Sequence, residues 1–128
     1  MFTPHKYPNA SVAPWEYYPA AAGTYKAGQL VELIDGQMAA FADANGVMPY
    51  LCMADITVED GGIIPAIFCN ADTIYATELA ADAAGAKVGS MAAITDGLTA
   101  TIDDAGTFEI TALEGTTAGS VVYGRLRY

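Results

Sequence analysis

The chain has 128 residues, is 53% hydrophobic with a mean hydropathy of +0.28, and carries a formal charge of −10. One domain fits this length and can bury a core without staples, and the apolar content excludes global disorder. Residues 1–27 carry Lys6 and Lys26 against Glu16, whereas residues 28–128 carry Lys87, Arg125 and Arg127 against fourteen acids; so acidic a body argues against nucleic-acid binding, which needs clustered Lys and Arg.

The first 22 residues hold four of the six prolines, Pro4, Pro8, Pro14 and Pro19, and no glycine. Proline at this density disfavours helix and central strand alike. Residues 1–24 are therefore expected to form an extended arm, with a reach of about 70–80 Å at roughly 3.3–3.6 Å per residue. Its aromatic side chains suit a segment that lies along a surface, the protein's own or a partner's. Phe2, Lys6, Tyr7, Trp15, Tyr17 and Tyr18 are the candidate contacts. Met1 is followed by Phe-Thr-Pro-His-Lys, which does not read as a secretory signal. Later apolar runs are broken by Pro, Asp and Gly far short of a membrane span, so no membrane partner is expected.

Residues 25–128 read as short strands and turns, the pattern of a small all-β barrel or sandwich. Strands are expected over Gln29–Ile34, Gln37–Ala42, Tyr50–Ala54, Ile63–Cys69 and Thr73–Thr77, then over Met91–Thr95, Leu98–Ile102, Thr107–Leu113 and Ser120–Arg127. Asp43–Gly46 reads as a loop. Pro65 marks its strand as an edge or a bulge. The alanine-rich Leu79–Ala84 could form one or two helical turns.

One cassette occurs twice. Lys26-Ala27-Gly28 … Asp35-Gly36 returns 61 residues later as Lys87-Val88-Gly89 … Asp96-Gly97, and seven of nineteen positions match between 26–44 and 87–105. Asp-Gly between apolar runs is the strongest short-range hairpin signal, because a primed turn needs positive φ. Two hairpins are expected, as an internal pseudo-repeat within one barrel.

The residues for chemistry are sparse. His5 is the only histidine, so triads that depend on imidazole are not expected. Glu59-Asp60 and Asp103-Asp104 flank glycines and read as solvated turns. Adjacent strand residues face opposite sides, which does not make an acid/base pair. No EF-hand ladder or phosphate loop is present. Cys52 and Cys69 lie in apolar runs and read as buried free thiols, or as a disulfide if their strands are neighbours; a structural metal would need more soft ligands. No catalytic, cofactor or metal site is therefore assigned. Arg125 and Arg127 share one face of the last strand, where they could pair with internal carboxylates or meet a neighbouring subunit.

The arm, Tyr25-Lys-Ala-Gly-Gln-Leu-Val-Glu-Leu-Ile-Asp-Gly36, Pro49-Tyr50-Leu-Cys-Met-Ala54, Glu59-Asp-Gly-Gly62, Lys87-Val-Gly89 and a closing Gly-Arg-Leu strand together resemble the small capsid decoration proteins of tailed bacteriophages. That resemblance implies a non-enzymatic virion protein, made in the host cytoplasm, that binds the outer surface of an assembled head and stabilises it. The implied partner is the major capsid protein, often with the decoration protein as a homotrimer, and no cofactor is needed. Two other roles compete. One is another virion or surface module, such as a head-fibre base or host-surface binder. The other is a small ligand-binding barrel.

Overall fold

The computed structural model describes residues 1–6, 16–41 and 48–127 of the chain. These residues are all-β, with thirteen strands and no helix. In chain order the strands are β1 (Thr3–Lys6), β2 (Glu16–Ala20), β3 (Gly23–Tyr25), β4 (Leu30–Ile34), β5 (Gln37–Ala40), β6 (Tyr50–Cys52), β7 (Ile56–Val58) and β8 (Gly62–Phe68). They continue with β9 (Ile74–Glu78), β10 (Met91–Thr95), β11 (Thr99–Ile102), β12 (Phe108–Leu113) and β13 (Val121–Leu126).

Strands β2-β5-β4-β6-β8 close into a barrel, and β3 with β7 forms a small ribbon. The remaining strands form a six-stranded sheet ordered β1-β9-β13-β12-β10-β11. This sheet curls back on itself: Leu79, just past β9, bridges Ala100 of β11 in parallel, and Ala80 N donates to Ala100 O at 2.9 Å. Five of its strands therefore make a second, nearly closed barrel, to which β1 is added beyond β9.

The two barrels share one strand connection pattern. In each, a hairpin (β4-β5, β10-β11) is flanked on one side by β6 or β12. On the other side it makes a parallel bridge to the chain at or just past β2 or β9, Ala20 to Met38 in one and Leu79 to Ala100 in the other. The last strand, β8 or β13, closes the ring. Hydrogen bonds repeat in the same places. Gly28 N donates to Cys52 O at 2.9 Å and Gly89 N to Ile110 O at 2.8 Å; Cys52 N and Ile110 N donate back to Gln29 O and Ser90 O, each at 2.9 Å. Ala21 N reaches Met38 O as Ala80 N reaches Ala100 O, and Gly61 N reaches Ala20 O as Gly119 N reaches Leu79 O. The pseudo-repeat is thus a duplication of the whole barrel, where a repeat within one barrel was expected.

The duplicated turn differs by one residue. Ile34 pairs with Gln37, which leaves Asp35 (φ 50°) and Gly36 (φ 81°) as a two-residue turn. Thr95 pairs with Thr99, which leaves Asp96, Gly97 and Leu98 between the strands. The first is the primed geometry that matches strand twist; the second is the three-residue variant.

Several other expectations are corrected. Residues 80–90 form turns and bends without a helix; Ala83 N is engaged by Thr116 O at 2.7 Å, and the run is too short to nucleate a helix without packing support. Pro65 lies inside a closed barrel, not on a free edge. There β8 pairs with β2 over Gly62–Ala66 and with β6 over Ala66–Phe68, so Pro65 lies where one partner hands over to the other. The arm is not separate from the barrels either, because β2 is a barrel strand and β1 extends the second sheet. The strand from Gln37 ends at Ala40, and the expected loop at 43–46 lies outside the described residues.

Two hydrophobic clusters fill the molecule. Ala20, Tyr25, Val31, Met38, Cys52 and Ile64 fill the first barrel. The larger cluster joins the interior of the second barrel (Ala92, Ala100, Phe108, Ile110, Val122, Leu126) to Leu30, Leu51 and Ile67, which face outward from the first. Phe2 sits in this shared core, fully buried, its ring edge-on to Phe108 with centroids 5.5 Å apart. Its backbone is fixed too, Phe2 N donating to Gly28 O at 2.7 Å. Truncating such a side chain removes buried area and leaves a cavity. Phe2→Ala is expected to lower unfolding stability by about 3–5 kcal/mol in denaturant titrations. An effect below about 1 kcal/mol would mean that the side chain is not a core element.

Candidate binding surface

The residues singled out in the sequence fall into separate environments. Phe2, a candidate contact on the protein's own surface or a partner's, is a core residue. Its apolar ring follows only Met1, and nothing local distinguishes an anchor for a partner from an anchor for the distant Phe108. Tyr7 and Trp15 lie outside the described residues. Lys6 is exposed at the end of β1, and Tyr17 is 66% exposed on β2.

Tyr18 is half-buried at the mouth of the first barrel. Its ring lies 5.0 Å from Tyr50, which lies 5.1 Å from Phe68, both edge-on. Its hydroxyl donates to Glu16 Oε2 at 2.9 Å. Burial and the adjacent carboxylate push its pKa up to about 12. Tyr18 therefore acts within the barrel and was not recognisable as such from sequence, because its partners Tyr50 and Phe68 lie more than thirty residues away.

Arg127 donates to Glu109 Oε1 at 2.8 Å, the one ion pair among the described residues. Arg125 is half-buried two residues earlier, on β13, where it opposes the same Glu109 in register. On its other side lies a second cation. Lys6 pairs with Ile74, next to the Tyr75–Gly124 pair, so Lys6 and Arg125 lie in adjoining positions across β1, β9 and β13. His5 stacks on Tyr123 with centroids 4.4 Å apart. His5, Lys6 and Tyr123, together with Ile74, Thr111 and Ala112, line a shallow cleft of about 350 Å³. Three of the five Lys and Arg residues, with the only histidine, thus lie on β1 and at the end of β13 of an acidic protein.

A second exposed feature lies on the first barrel. Tyr17 and Pro19 of β2 stand opposite Pro65 and Ile63 of β8 on the barrel's outer face, and Ile63 is 56% exposed. Phe68, 51% exposed, caps the mouth nearby. Among the described residues no group of three or more His, Cys, Asp or Glu could hold a metal, and no helix is long and apolar enough to cross a membrane. Scanning the chain against family models and searching curated proteins gave no match.

Both cysteines are free and buried, in different cores: Cys52 in the first barrel, Cys69 in the shared cluster. Burial pushes the Cys69 thiol from 9.0 up to about 12, and Tyr75, against it, is raised in the same direction. An acid whose folded pKa is raised keeps its proton in the folded state while the unfolded chain releases it, so stability falls as pH rises from about 9 to about 12. Denaturation at stepped pH is expected to show this alkaline loss, with a shallower slope in Cys69→Ala. A thiol reagent at pH 8 should label neither cysteine until denaturant is added; rapid labelling of Cys69 in the native protein would contradict its burial.

Proposed function

We propose that the protein is a non-enzymatic virion structural protein that binds the outer surface of a phage capsid, through the major capsid protein, and stabilises the head. The observation that carries this reading is the outer face of the first barrel, where Tyr17, Pro19 and Ile63 stand exposed on a rigid closed sheet. Exposed aromatic anchors with little conformational entropy to lose are the usual centre of a protein interface. The acidic body around them opposes self-association and non-specific adhesion. The paired barrels add a large rigid framework, and binding a folded assembly at many sites stabilises it by mass action even where each contact is modest. The sequence resemblance to decoration proteins points the same way, as an analogy.

The protein is proposed to act as a homotrimer on the shell. Lys6 and Arg125, cations in adjoining positions beside Glu109, are proposed to face a neighbour's carboxylates. Arg127 is already engaged by Glu109, so Arg125 is the residue to test. Purified virions of the phage that encodes the chain should contain it in a fixed, high ratio to the major capsid protein, with density on the outer shell by cryo-imaging. A few copies confined to one vertex would indicate a fibre base instead. Arg125→Glu should lower occupancy more at low than at high ionic strength, because salt screens rim charges. Equal occupancy at low salt, or isolated monomers on the shell, would overturn the trimer.

A further inference from the structure

The duplication makes the two barrels a comparison within one chain. In the second, β1 lies along β9, Thr3 pairing with Ala76, Pro4 with Tyr75 and Lys6 with Ile74. It occupies the side of β9 that the parallel bridge to β11 leaves free. In the first barrel β2 stands where β9 stands in the second. The bridges Ala20–Met38 and Leu79–Ala100 align the two strands, so Tyr17 corresponds to Ala76. Beyond Ala20, β5 no longer pairs with β2.

The direction of the free groups follows from the ladder. Alternate residues of a strand turn their N–H and C=O to opposite sides. Ala21 N donates to Met38 O, so Pro19 and Tyr17, of the same parity, turn theirs toward that side and away from β8. Pro19 has no N–H. Tyr17 therefore presents one N–H and one C=O at an open edge, and among the described residues no strand pairs with it there. Ala76, its counterpart, is covered by Thr3.

The mouths of the barrels differ in the complementary way. Phe108 is the counterpart of Tyr50, from the matched bonds of Cys52 and Ile110 two residues later. Phe2 lies edge-on to Phe108 at 5.5 Å; Tyr18 lies edge-on to Tyr50 at 5.0 Å. The first barrel thus fills with its own tyrosine the place that the second fills with the N-terminal segment, and among the described residues no strand takes the position beside it.

We propose that the open edge of β2 at Tyr17 receives an extended segment of the shell protein as an added antiparallel strand, the position that β1 holds on β9. This rests on the functional reading above. Main-chain pairing of this kind gives affinity to an extended segment with little demand on its side chains. Glu16 is exposed beside Tyr17 within a chain of charge −10, so the segment that fits carries cationic side chains and no proline opposite Tyr17. The same charge disfavours a second copy of this chain at the edge.

The test uses the full-length protein and purified shells lacking it. Tyr17→Pro deletes the outward N–H and leaves the β8 ladder unchanged; Tyr17→Ala deletes the ring and keeps the N–H. Both variants should melt within a few degrees of each other. Shell affinity of Tyr17→Pro should be about tenfold below that of Tyr17→Ala, the scale of a lost interface hydrogen bond. Hydrogen exchange gives a second readout without mutation: in the free protein the Tyr17 amide should exchange fast and Ala76 slowly, and on the shell Tyr17 should become protected. Equal shell affinity of the two variants, or no protection of Tyr17 on the shell, would overturn the strand addition while leaving shell binding intact. Failure of the wild-type protein to bind shells at all would overturn the functional reading and the strand addition with it. Concentration-dependent dimers abolished by Tyr17→Pro would assign the edge to a second copy.

Discussion

The joint between the barrels is a single close approach of two backbones. Gly97, at the tip of the second hairpin, has its carbonyl 2.7 Å from Leu30 N at the start of β4. A Cβ at Gly97 would run into the Leu30 carbonyl, and φ there is +71°, so both the space and the conformation require glycine. The same stretch of chain carries the other links. Gly28 O accepts from Phe2 N, and Gln29 Nε2 donates to Asp96 O at 3.4 Å. Because the tip of one duplicated hairpin meets the start of the other, the outward apolar residues of the first barrel are delivered to the core of the second. The shared cluster, and the burial of Phe2 within it, depend on this contact.

The arrangement explains why the two copies of the cassette are conserved in unequal ways. Lys26 and Lys87 donate their backbone N–H groups to side chains three residues on, Gln29 Oε1 and Ser90 Oγ, each at 3.1 Å. The side chains differ and the hydrogen bond is the same. Gly28 (φ 86°) and Gly89 (φ 93°) both need the left-handed region, so that residue cannot drift. The Asp-Gly pairs are held by the turn. By contrast, Leu30 opposes Leu51 on the face packed against the second barrel, whereas their counterparts Met91 and Glu109 are only partly buried and lie outside the shared core.

Much of the fold was legible because turn chemistry is local. Both hairpins, the all-β class and most strands follow from Asp-Gly, Gly-Gly and apolar alternation, which act within a few residues. The second barrel was not legible. Its closure rests on one parallel bridge between residues more than twenty apart, Leu79 and Ala100, and no local pattern encodes a parallel pair. Outside the cassette the two barrels drift in register, by 61 residues at β4 and β10 but 58 at Cys52 and Ile110, which hides the repeat from a fixed-offset comparison. Of the candidate surface, Tyr17 and Lys6 were found as exposed positions. Phe2 and Tyr18 share their residue type with surface anchors and were assigned outward, since only the distant Phe108 and Tyr50 decide otherwise. Pro19 was read only as one of the prolines of an extended arm, and the strand edge beside it emerges only when two barrels can be laid side by side.

The position of Phe2 also sets the order in which the molecule can be completed. Its strand pairs with β9 and its ring rests on Phe108, more than a hundred residues further along the chain. During synthesis the first barrel has all its strands once Phe68 has emerged, and β9 then offers β1 its pairing strand, but the ring of Phe2 has no Phe108 to rest on until β12 follows. The start of the chain therefore completes its contacts late, from residues spread over most of the chain: Gly28, β9 and Phe108.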